Sequence, residues 1–284
     1  MNKKAYIVLL TGILFNLSIG VIYVWSLLKV EMTTCISQGG WGWTSSQAGL
    51  PYTIAIICFA LGVLIGGRVQ DKIGPRWVAT TGGALVGLGL IFSGLIGNSP
   101  TGIALCFGVI TGLGIGFGYN SVLPAALKWF HPKQKGLISG LILGGFGLGA
   151  LHYGPIKSSL LNNFGKEGAL LYLGIAVSII SVFFAQFIKN PPVAYVPSDP
   201  SRKVLPGEAV KNTVKNNTGV DHTWKEMLKT KRFYLMFILF LLSSSMGLMV
   251  LGNIAKITNT QLVGFTNTAL LISFMAVIYY TGVP

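Results

Sequence analysis

Runs of uncharged, mostly apolar residues alternate with short polar clusters along the whole chain. Residues 5–28, 46–67, 77–97, 101–127, 136–156, 168–188, 233–255 and 257–284 carry no Asp, Glu, Lys or Arg. Each run is about 20 residues or longer. At ~1.5 Å per residue, a helix of that length crosses a ~30 Å hydrocarbon core. The pattern therefore predicts an all-α polytopic membrane protein with eight spans. Eight buried helices of a water-soluble protein would leave almost no polar surface to face the solvent, which excludes that alternative.

The spacing of the runs also predicts an organisation. Residues 1–188 form a six-span bundle, residues 189–232 a polar linker, and residues 233–284 two further spans of an incomplete second bundle. The chain ends at Pro284 inside the last apolar run, with no basic flank after it, so the polypeptide is expected to be a truncated piece of a longer protein. Pro191, Pro192, Pro197, Pro200 and Pro206 crowd the start of the linker, which reads as flexible or partly helical. Residues 221–228 suit a short surface helix capped by Asp221 or Thr223. Asn216-Asn217-Thr218 matches a glycosylation sequon, expected to be idle on the cytoplasmic side.

Composition sharpens this reading. Charged residues make up 10% of the chain, against roughly 25% in soluble proteins. The net charge of +14 would suggest nucleic acid in a soluble protein, but its placement gives a different cause. Lys3 and Lys4, then Arg68, Lys72 and Arg76, then Lys128, Lys133 and Lys135, and finally the linker lysines and arginines all fall on one side of the predicted spans. Basic loops stay in the cytoplasm, so the N-terminus and the linker are expected there, in a multi-pass cell-membrane protein, with no nucleic-acid partner. The first span is too long for a signal-peptide core and lacks a small-residue cleavage site, so it is expected to be retained. Cys35, Cys58 and Cys106 have no metal-ligand spacing.

Glycine is dense in the predicted spans, as at Gly82, Gly83, Gly87, Gly89 and Gly94, and at Gly108, Gly112, Gly114, Gly116 and Gly118. Small residues let helix backbones approach closely in lipid, where tails supply no hydrophobic drive between helices. The run 112–118 looks superficially like a nucleotide-binding loop, but it follows no strand and sits in an apolar helix, so helix packing is the expected role.

The polar cluster between the second and third spans is the most specific motif. Gly67-x-x-x-Asp71-Lys72-x-Gly74-Pro75-Arg76 places a turn-forming glycine before a proline that can begin a helix. Asp71 can accept from a helix N-terminus or pair with Arg76. This pattern resembles the loop between spans 2 and 3 of major facilitator transporters, with Pro75 standing where arginine is common. The resemblance implies a fold of two six-helix bundles and makes Gly67, Asp71, Lys72, Gly74 and Arg76 a conformational gate that latches the outward-open state.

A narrower resemblance is to the oxalate/formate antiporter family. It rests on Gly20-Val21-Ile22-Tyr23-Val24-Trp25-Ser26, Gly118-Tyr119-Asn120, residues 125–132 and Gly247-Leu248-Met249-Val250-Leu251-Gly252-Asn253. It implies exchange of small carboxylates through an aromatic pocket, with Tyr23, Trp25, Tyr119 and Asn120 as lining residues. Each of these aromatics can equally be a core side chain packed on a neighbouring helix. The family's two pocket cations come from spans 8 and 11. No arginine or lysine occurs in 257–284, so the first is expected near or beyond Pro284.

His152 is the ionisable residue plainly inside a span; it suits a pocket donor, a proton site or a histidine bonded to a carbonyl. Lys29, Lys157 and Lys256 lie near outer span ends, as snorkelling anchors or as an electropositive vestibule. Pro155 is expected to kink the fifth span. The seven acidic residues are scattered and His131, His152 and His222 lie far apart, so no enzyme, metal site or cofactor is expected. The expected function is secondary transport of a small organic anion by a monomer, by exchange or with protons. The alternatives are a proton-coupled monocarboxylate symporter or a non-transporting remnant.

Overall fold

The computed structural model describes residues 3–192, 195, 197 and 224–261. Among these, six helices are long and apolar enough to cross a membrane: α1 Lys3–Thr33, α2 Ser45–Ile73, α3 Pro75–Ile96, α4 Pro100–Leu127, α5 Pro132–Ile156 and α6 Ser159–Ala185. A seventh helix, α7, runs over Lys231–Gln261. The described residues contain no strand. Most of the predicted eighth span, the sequon at Asn216 and most of the linker lie outside the described residues. The predicted surface helix is a single turn, Trp224–Met227.

The chain divides into two compact units, Met1–Ser198 with Leu251–Pro284, and Asp199–Val250. In the first unit α1–α6 form a bundle whose outer surface is apolar. Leu64, Leu95, Leu105 and Ile179 each expose more than half of their surface. In water such a belt would drive association, whereas lipid tails accept it. In the second unit, Leu235, Met236 and Phe240 of α7 are likewise exposed.

Local chemistry sets the helix ends. Thr44 caps α2 by accepting from the Gln47 amide, and the Gln47 side chain returns to the Thr44 N–H, a reciprocal capping box. Ser99 caps α4 ahead of Pro100. The long helical run Gly149–Ala185 is broken at Gly165, whose φ of 69° only glycine adopts freely. The irregularity in α5 falls at Leu148, earlier in the helix than the proline at 155 where a kink was expected.

Two further spans, α1 and α4, change their winding part-way along. In α1, Gly20–Val24 is a 3-10 turn. In α4, Ala104–Thr111 is π-helical, a wider winding often found at functional positions.

Close packing uses the glycines. A Cβ on Gly82 would stand 2.5 Å from the Gly118 nitrogen, and one on Gly116 would stand 2.4 Å from the Phe59 carbonyl oxygen. The 112–118 run therefore brings α4 against α3 and α2 at once, and its role is helix packing. On the other flank, Gly20 of α1 meets the Phe146 carbonyl and Gly149 of α5.

Candidate functional site

The 3-10 turn in α1 and the glycine contact beneath it decide what α1 presents to the bundle interior. Because Gly20 lets α1 lie directly on α5, Tyr23 reaches Phe146, meeting it edge-on with ring centroids 5.3 Å apart. Tyr119 of α4 meets the same ring from another direction at 5.2 Å, and Phe59 of α2 meets Tyr119 at 5.5 Å. Four spans thus converge on one aromatic cluster, all by edge contacts that pair a positive ring edge with a negative face. Tyr23 is buried and Tyr119 half-buried. The cluster offers apolar walls, ring edges and two hydroxyl groups, a combination suited to a small flat anion.

The remaining expected pocket residues are not in ring contact with this cluster. Trp25 is wholly buried, donates from Nε1 to the Ala48 carbonyl at 2.9 Å and stacks on Phe107 at 4.4 Å. One face and its one donor are thus engaged, with the π-helical part of α4 and with α2. Asn120 packs against Gly67 at the hairpin, with its Nδ2 3.1 Å from where a Cβ there would stand. His152 lies on Tyr153, ring centroids 3.8 Å apart, and its buried Nδ1 has no hydrogen bond of normal geometry, the Gly149 backbone being the polar group beside it. Tyr153 donates to the Ser18 carbonyl. Lys29 Nζ donates to Asn253 Oδ1 at 2.9 Å.

Several residues at the site carry no signal of charge or spacing. Phe146 and Phe59 complete the cluster, and the only hint of Phe146 is its setting in Gly144-Gly145-Phe146-Gly147. Asn16 is fully buried and donates from Nδ2 to the Ile142 carbonyl at 3.1 Å, one turn before Phe146.

The hairpin joins α2 to α3. Gly74 adopts φ 84° and ψ 164°, and Pro75 begins α3 where its missing N–H costs nothing. Asp71 and Lys72 are exposed. Pairing of Asp71 with Arg76 was one expectation; the structure turns Arg76 the other way. Its Nε and Nη2 donate to Gln186 Oε1, just past the end of α6, at 2.8 and 2.5 Å. Gln186 Nε2 donates in turn to Thr80 Oγ1 at 3.1 Å and the Val182 carbonyl at 3.0 Å. The cause is geometric: Gly74 ends α2 after Asp71, and Arg76 starts on a new axis packed against α6.

An open cleft of about 530 Å³ lies at the opposite end of the bundle, lined by Glu31, Trp41, Lys166 and Glu167 among others. It shares no residue with the aromatic cluster.

A family model described as Major Facilitator Superfamily matches residues 7–283. The chain belongs to that superfamily. It is a member of a transporter family and a multi-pass membrane protein. It is similar to an uncharacterized major-facilitator-type transporter, YhjX, of Escherichia coli K12, with 27% identity over 254 residues covering 88% of this chain and 57% of the relative. It is also similar to the oxalate:formate antiporter of Oxalobacter formigenes, 28% identical over 252 residues, covering 89% of this chain and 54% of the relative. Monocarboxylate transporter 13 of Rattus norvegicus is 34% identical over 119 residues, covering 42% of this chain and 27% of the relative. The chain spans about half the length of the first two relatives.

Proposed function

We propose that this chain belongs to a secondary carrier of small organic anions, with oxalate- and formate-like carboxylates as substrates and exchange as the mode. The observation that carries this reading is the convergence of Tyr23, Phe59, Tyr119 and Phe146 from four spans. In the proposed mechanism the two tyrosine hydroxyls donate to the carboxylate while the rings keep water out. Alternating access follows from rocking of helix bundles about that level, with the hairpin as a gate on the cytoplasmic side, where the N-terminus and linker also lie. Similarity to an oxalate:formate antiporter along most of the chain supports the substrate class.

Counterflow of labelled oxalate or formate in proteoliposomes tests this directly. Exchange that depends on internal unlabelled carboxylate is the expected result. Tyr119→Phe is expected to weaken substrate binding about tenfold, the worth of one hydrogen bond to a charged group. Absence of counterflow with any small carboxylate overturns the reading. The second reading, a proton-coupled monocarboxylate symporter, is favoured by the similarity to monocarboxylate transporter 13. It requires net uptake driven by a pH gradient without a counter-substrate.

A further inference from the structure

The hydrogen bonds around Gln186 form a closed circuit. Arg76 donates twice to Gln186 Oε1; Gln186 Nε2 donates to Thr80 Oγ1; and Thr80 Oγ1 donates to the Arg76 carbonyl at 2.8 Å. A second Gln186 N–H goes to the Val182 carbonyl. All four capacities of the amide are filled, and the carbonyl partner of Nε2 fixes which way the amide faces. The end of α6 that carries Gln186 is itself held in place. Trp129 Nε1, just past α4, donates to the Lys189 carbonyl at 2.7 Å, and Tyr195 Oη returns to the Trp129 carbonyl at 3.1 Å. Asp71, five residues before Arg76, is exposed and makes no ion pair among the described residues.

We propose that Gln186 is a positioning residue for the hairpin: it docks the Arg76 guanidinium on α6, and release from that dock lets Arg76 pair with Asp71. The dock is a neutral acceptor facing a permanent cation. It holds the part-buried guanidinium by two contacts, whereas an ion pair at exposed Asp71 is worth little, so Asp71 is the weaker, second position. Thr80 and Val182 hold the amide ready, which keeps the dock formed when Arg76 leaves.

The test is chemical and needs no substrate, so its failure and the failure of the carrier reading are separate outcomes. The full chain in membrane vesicles is treated with phenylglyoxal, and modification of Arg76 is compared by mass spectrometry with that of exposed Arg68 in the same polypeptide. Arg76 is expected to react about tenfold more slowly than Arg68, the protection given by hydrogen bonds to a charged group. Gln186→Leu is expected to remove most of that protection, while Gln186→Glu, which keeps both acceptor contacts, retains it. If Gln186→Leu fails to enter the membrane, Gln186→Asn carries the test, since its shorter amide cannot span from Arg76 to Val182. In the Gln186→Leu background, Asp71→Asn is expected to raise Arg76 reactivity further by removing the second position. Arg76 reacting as fast as Arg68 in the parent chain, or unchanged by both Gln186→Leu and Gln186→Asn, overturns the dock. No further rise with Asp71→Asn overturns the exchange of partners.

Discussion

At the level of Phe146 the helices meet through ring edges and glycine backbones, whereas at the hairpin end they meet through a closed circuit of directional hydrogen bonds. The first kind of contact is cheap to slide and costly to empty. Rings can tilt against one another with small changes in energy, but removing one leaves a void with no partner atoms. The second kind has discrete states. A guanidinium is on the Gln186 amide or it is not.

Three substitutions, one of them paired with a control, break or sharpen that contrast, the three running from the largest expected effect to the smallest. Phe146→Ala removes the ring on which both tyrosines rest and is expected to cost about 3–5 kcal/mol, read as a fall in thermal midpoint in detergent. Gly82→Val pushes a side chain into the Gly118 nitrogen and the Gly114 carbonyl, 2.5 and 2.8 Å from its Cβ, and is expected to cost about 1–3 kcal/mol. Gly140→Ala serves as its control, because nothing lies within 4 Å of a Cβ there, and a shift inside ±0.5 kcal/mol is expected. Trp129→Phe removes the N–H that reaches Lys189 and part of the ring that packs on Tyr195, and is expected to cost about 1–2 kcal/mol. A larger loss from Trp129→Phe than from Phe146→Ala would invert the comparison between middle and end.

The first six spans, the hairpin turn and the glycine packing were legible in the sequence because each depends on local pattern. Charge-free runs set helix length, Gly74-Pro75 sets the break, and repeated glycines mark a close approach whatever the partner. The partners themselves were not legible. Arg76 and Gln186 stand 110 residues apart, and an uncharged amide at a helix end gives no signal that an arginine will find it. Phe146 reads as one more apolar residue, and its place between Tyr23 and Tyr119 emerges only once α1, α4 and α5 are packed. Trp25 shows the reverse case. The stretch carrying it resembles a pocket-bearing span, yet the same indole is also a large apolar body, and burial against Phe107 with its N–H on Ala48 satisfies both parts.

The π-helical stretch of α4 carries a further consequence. Winding with i→i+5 bonds holds a surplus residue relative to the α pattern, and one residue corresponds to about 100° of rotation about the axis. Losing a single residue within Ala104–Thr111 can be absorbed by rewinding that segment as ordinary α-helix, with the glycine face from Gly112 to Gly118 left aimed as before. The same deletion at Gly112, where the winding is already α, would turn that face by about 100°. The stretch is thus a reserve of length inside α4, the one place in that span where the chain can shorten without losing its bearings.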